Sequence, residues 1–116
     1  AGYADEAEFD AFAKTIDLRG IAGDIICPVL TVAGSDDELS PIEHTYDLME
    51  RIKSPKKLIV YEGARHGLWQ SASVVAGETP HTVAADWLAE RLLEGGPMAS
   101  ERVHVDSTGA KTVTSY

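Results

Sequence analysis

Apolar residues recur along this chain in two rhythms, and their alternation predicts its architecture. Phe9, Phe12, Ala13 and Ile16 fall on one face of a helix over residues ~5–18. Gly20 and Gly23 break that pattern. Pro28 to Ala33 is then almost wholly apolar, which predicts a strand covered on both faces, as in a parallel sheet. Ser40-Pro41-Ile42-Glu43 predicts a helix start, with Ser40 as cap, Pro41 in the first turn and Glu43 closing a capping box. Ile42, Tyr46, Met49 and Ile52 follow at helical spacing until Ser54-Pro55 ends the helix. Lys57 to Tyr61 reads as a second strand. Thr79-Pro80 opens a further helix, with Val83, Ala84, Trp87, Leu88 and Leu92 on its inner face and Gly95-Gly96-Pro97 as its stop.

The order helix, strand, helix, strand, helix predicts an α/β fold with two core strands and three helices. Residues 1–94 carry this pattern, and residues 95–116 form a polar extension. Within the extension Val103, Val105 and Val113 alternate with polar residues on either side of Ser107-Thr108-Gly109, which predicts a β-hairpin arm; a frayed tail is the alternative. Two strands cannot make a doubly covered parallel sheet, because open edges and apolar faces are unstable in water. Further strands are therefore expected from another segment or another copy.

With 116 residues there is room for one domain of ordinary size. Nineteen acidic against ten basic residues give a net charge of −9. Phosphate backbones and anionic membrane surfaces would be repelled, so neither nucleic acid nor membrane is an expected partner. No apolar run approaches the ~20 residues of a membrane span. The start Ala1-Gly2-Tyr3-Ala4-Asp5-Glu6 has neither a basic region nor an apolar stretch, so no signal peptide is read there. Cys27 is the single cysteine, which excludes an internal disulfide and makes a reducing, cytoplasmic setting the default. Its place before an apolar strand suits a small buried hydrophobe.

The chemistry-bearing residues sit at strand ends. Asp36 and Asp37 follow Gly34 at the carboxyl end of the first strand, where catalytic groups of α/β sheets collect; capping a turn is the plainer role for such a pair. His66 lies in a loop between Arg65 and Gly67, just past the second strand. An acid can hold the tautomer of such a histidine and stabilise its imidazolium while the other ring nitrogen takes a proton from a nucleophile. Asp36, Asp37, Glu38 and His44 offer a conceivable metal site, but no spacing of the His-Glu-x-x-His kind supports it, so neither metal nor cofactor is expected. His81 is expected at the surface and His104 in the polar tail. Trp69 and Trp87 read first as core or rim packing, with Trp69 near enough to His66 to line a pocket instead. No Gly-x-Ser-x-Gly occurs anywhere in the chain, so no nucleophile elbow is present.

The run Cys27-Pro28-Val29-Leu30-Thr31-Val32-Ala33-Gly34-Ser35-Asp36-Asp37-Glu38-Leu39-Ser40-Pro41, followed by Tyr61-Glu62-Gly63-Ala64-Arg65-His66-Gly67, resembles the C-terminal third of an α/β-hydrolase. The resemblance covers about residues 16–94. It implies that Asp37, three after Gly34 and four before Pro41, is the triad acid and that His66 is the triad histidine. The polar extension is similar to that of some esterases and carbon–carbon bond hydrolases related to the prolyl-oligopeptidase group. What the resemblance implies is a share of a serine hydrolase acting on an ester, amide or activated C–C carbonyl of a small-molecule substrate. The serine and oxyanion hole would then come from an N-terminal portion of the same hydrolase, as a separate chain or a preceding segment. The alternative is a truncated, non-catalytic remnant that serves binding or assembly. A homo-oligomer through the hairpin-like tail is left open.

Overall fold

Pairing of the two apolar strands organises the molecule. It is described here from a computed structural model that covers every residue except Ala1 and Tyr3. Strand β1 (Val29–Gly34) lies parallel to β2 (Lys56–Tyr61), in a register that sets Gly34 beside Tyr61. Helix α2 (Ile42–Arg51) connects them. Alternation along β2 sends its side chains to two cores. Leu58 and Val60 pack with Met49 and Ile52 under α2. Ile59 and Tyr61 pack with Ala64, Val74 and Val103 on the other face.

The expected two-stranded parallel sheet is incomplete in one respect. The chain supplies two further strands, β3 (Glu101–Val105) and β4 (Lys111–Ser115), and the sheet is mixed, with the order β1-β2-β3-β4. The C-terminal hairpin is thus no detached arm. β3 joins β2 in parallel, and β4 returns antiparallel on its outer side. Val103 and Val105 are buried through this pairing. One neighbour that the sequence assigned to another segment or copy comes from the chain itself. Among the described residues no strand pairs with the outer edge of β1.

Among the described residues there are four α-helices instead of three. α1 (Glu6–Ala13) is shorter than expected and buries no residue. α3 (Ala72–Ala76) is a short helix the apolar pattern did not reveal. Ser71 caps it by accepting a bond from the Val74 N–H. α4 (Pro80–Ala89) starts at the expected Thr79 cap and runs on as a π-helix over Glu90–Glu94. Its Val83 packs on the second core, whereas Leu88 and Leu92 face outward. The helix has no layer of this chain to cover that side.

The capping box before α2 is absent. Pro41 occupies the cap position and no side chain bonds there. The competing acceptor is Asp37, which takes the N–H of Ser40 and so draws that residue into its own turn. Cys27 is exposed, not buried, because β1 begins only at Val29.

The crossovers β1–α2–β2 and β2–α4–β3 step the same way across the sheet, yet α2 and α4 lie on opposite faces. They are therefore of opposite hand, and one is of the rare left-handed kind. Among the described residues no helix is long and apolar enough to cross a membrane.

Lys56 fastens α2 to the sheet. Its buried Nζ donates to the carbonyls of Met49, at 2.5 Å, and of Ile52, at 2.8 Å, satisfying the last turn of the helix. The same ammonium lies 4.5 Å from the ring centre of Tyr116, just past β4. Lys56→Met leaves those carbonyls without a donor and is expected to lower unfolding free energy by about 1–3 kcal/mol in urea titration. A loss within error would remove Lys56 from the interactions that hold α2.

Candidate active site

Two parallel neighbours that end level bring their following loops together, and here the loops are stapled by backbone bonds. Ser35 N–H donates to the Tyr61 carbonyl at 3.1 Å, and Asp36 N–H to the Ala64 carbonyl at 3.0 Å. Ser35 Oγ accepts from the Gly63 N–H at 2.8 Å and donates to Asp36 Oδ1 at 2.9 Å. Gly34 makes this approach feasible. A Cβ at that position would lie 2.1 Å from the Ala64 carbonyl oxygen, inside any allowed contact. Gly63 turns the second loop with a φ of +70°, a conformation glycine adopts without strain.

On this frame Asp37 and His66 meet. Asp37 Oδ2 lies 2.9 Å from His66 Nδ1. Its other oxygen, Oδ1, accepts from the N–H groups of Leu39 and Ser40, both at 2.9 Å, so the carboxylate is held at both ends. Burial in the loop pushes the Asp37 carboxyl up, but the Ser40 N–H, the His66 ring and the Leu39 N–H together outweigh it and hold the group below its ordinary value. The carboxylate assigns the neutral histidine's proton to Nδ1, leaving a lone pair on Nε2. Nε2 makes no hydrogen bond among the described residues, and the His66 side chain is 58% exposed while that of Asp37 is 10% exposed.

Asp36, the other member of the acid pair, is exposed, and its carboxylate bonds only Ser35 of its own loop. An ion pair between Arg65 and Glu38 bridges the same two loops beside the His66–Asp37 contact. The sequence offered no sign of that bridge, since each partner alone is an ordinary surface charge. The metal alternative finds no geometry. Asp37 is bonded to His66, Glu38 to Arg65, and no group of three or more His, Cys, Asp or Glu side chains comes together among the described residues.

Trp69 does not join the core. It is 58% exposed and stacks on His81 of α4, with ring centres 4.8 Å apart and planes 22° from parallel. Leu68 and Gln70 on either side take left-handed backbone, with φ of 57° and 69°, which non-glycine residues rarely adopt. Leu68 packs against the core and Trp69 on His81, which holds the loop after His66 in this conformation. His104 is not in a loose tail. It sits in β3 with Nε2 3.5 Å from Glu62.

No serine or cysteine reaches His66 among the described residues. Ser35 serves the loop staple. Ser71 and Ser73 bond each other at 3.1 Å, and Ser73, fully buried, donates to the Glu62 carbonyl. Cys27 precedes β1, so the strand's length, roughly 20 Å, separates it from the site. Comparison with models of known protein families found no match, nor did comparison with curated proteins or with solved structures.

The lowered Asp37 carboxyl makes stability depend on pH with a definite sign. Its bonds contribute fully above the unfolded value of about 4 and are lost as pH falls through the lower folded value. In urea titrations the gap between wild type and Asp37→Asn is expected to hold constant near neutrality and to shrink below about pH 4. A gap unchanged down to about pH 2 would mean the carboxylate is not held by these bonds.

Proposed function

We propose that this chain supplies the general base and its orienting acid to a serine hydrolase of the α/β-hydrolase superfamily, and that the nucleophile stands on another segment. The observation that carries this reading is the 2.9 Å contact between Asp37 and His66, delivered from the ends of adjacent parallel strands with Nε2 free. The open edge of β1 supports it further, because a strand of the nucleophile-bearing portion can add there.

The chemistry follows from the two nitrogens. Nε2 takes the proton of an incoming serine hydroxyl as the serine attacks an ester, amide or activated C–C carbonyl of a small-molecule substrate. It then gives that proton to the leaving group. Asp37 keeps Nδ1–H bonded throughout and stabilises the imidazolium that forms between the steps. The two amides on Oδ1 keep the acid itself from turning away.

In the assembled enzyme a fluorophosphonate probe is expected to label a serine on the companion segment. His66→Ala should slow that labelling by orders of magnitude, and Asp37→Asn should lower turnover on the order of 10⁴-fold. Labelling at full rate after His66→Ala would contradict the assignment.

A second reading takes its support from the missing nucleophile: a hydrolase-derived remnant that binds or assembles without catalysis. Recovery of a co-purified segment carrying Gly-x-Ser-x-Gly counts decisively against it.

A further inference from the structure

We propose that the outer edge of β4 is a self-association surface, on which a second copy of this chain pairs its own β4 antiparallel about a two-fold axis at Val113. The inference is independent of the chemistry at His66.

The hydrogen-bond parity of the hairpin fixes which backbone groups face outward. Asp106 N–H bonds the Ala110 carbonyl at one end of the β3–β4 ladder, and Tyr116 N–H bonds the Ser100 carbonyl at the other. Bonded pairs alternate in an antiparallel ladder, so Thr112 and Thr114 turn their amides toward β3. Lys111, Val113 and Ser115 turn theirs away. All five β4 residues are exposed, and the strand has no proline, glycine or bulge to blunt its edge. Lysine commonly guards such edges, but Lys111 is drawn back to Glu78 at 2.8 Å and does not stand off the strand.

The side chains select this chain as the partner. With Val113 on the axis, it exchanges both backbone bonds with its own copy, and Lys111 does so with Ser115. Thr112 stands opposite Thr114. No like charges oppose each other, whereas an axis at Lys111 would set two ammonium groups face to face. On the face that carries the second core, Ile59, Val103 and Val113 form one row across the strands, and Val113 ends it 58% exposed. The two-fold continues that row into Val113 and Val103 of the second copy and buries the exposed end. Two copies each of charge −9 repel one another at long range, so pairing should strengthen as salt rises from about 0.1 to 0.5 M.

Sedimentation velocity of the full chain over a concentration series tests this. The wild type should pass from monomer to dimer, at lower concentration in higher salt. Val113→Pro removes only an outward amide, which an edge strand tolerates, and should abolish the dimer while circular dichroism keeps the monomer's signature. Should that variant unfold, Val113→Lys, which places two charges on the axis, decides the matter by the same loss of dimer. In a Cys27→Ser background Val113→Cys should oxidise to a cross-linked dimer and Thr112→Cys should not. A wild type that stays monomeric at every concentration and salt, or a dimer that survives Val113→Lys, would overturn the proposal.

Discussion

The site depends on the close approach of two strand ends. β1 and β2 run parallel and finish level, with Gly34 beside Tyr61, and the loops that follow are tied by three bonds to or from backbone groups, through Ser35, Asp36 and Gly63. Every catalytic inference rests on that tie. Without a side chain at Gly34 the Ala64 carbonyl can sit against β1, and only then do Asp37 and His66 come within 2.9 Å. The pair is therefore built by backbone geometry, and its chemistry does not depend on a long, flexible reach of either side chain. This is the kind of preorganisation that a base and its orienter require, since a loosely held imidazole loses its tautomer and its aim.

The remainder of the molecule is unevenly finished. Between α2 and α4 the sheet is packed on both faces around Leu58, Ile59, Val60 and Tyr61. Outside that centre, large apolar residues face water: Ile26 before β1, Leu39 in the acid's loop, Leu88 on α4 and Leu92 on the π-helix that continues it. Such residues scattered singly are ordinary on a protein surface. Ile26 lies just before β1 and Leu39 in the loop of Asp37, where the proposed function requires a companion segment. The β4 edge is different in kind, with polar side chains and one valine, and it suits a symmetrical copy better than a packed core.

Much of this was legible in the sequence, and the failures have physical reasons. The α/β class and both core strands could be read because their apolar runs have no polar face. The pairing of Asp37 with His66 was legible only through the resemblance, which places the acid three residues after Gly34 and four before Pro41; the residues alone left Asp36 and Asp37 equal. The joining of β3 to β2 was not legible. The pairing is long-range, β3 looks half-polar because Arg102 and His104 take the positions on the α2 face, with Arg102 over the Tyr46 ring, and one of the two crossovers runs against the usual hand. The capping box failed because a second local turn competes with it: Asp37, three residues earlier, takes the Ser40 amide. The stacking of Trp69 on His81 was not legible, because it is a contact between two elements that no spacing announces.

The central claim is that Asp37 holds His66 in one tautomer with Nε2 free to accept a proton. Nitrogen-15 NMR of the imidazole at neutral pH addresses it directly. The account predicts the neutral ring with the proton on Nδ1, a strongly downfield Nδ1–H resonance, and loss of that resonance in Asp37→Asn. A ring protonated on Nε2, or a mixture of tautomers indifferent to Asp37→Asn, would contradict it.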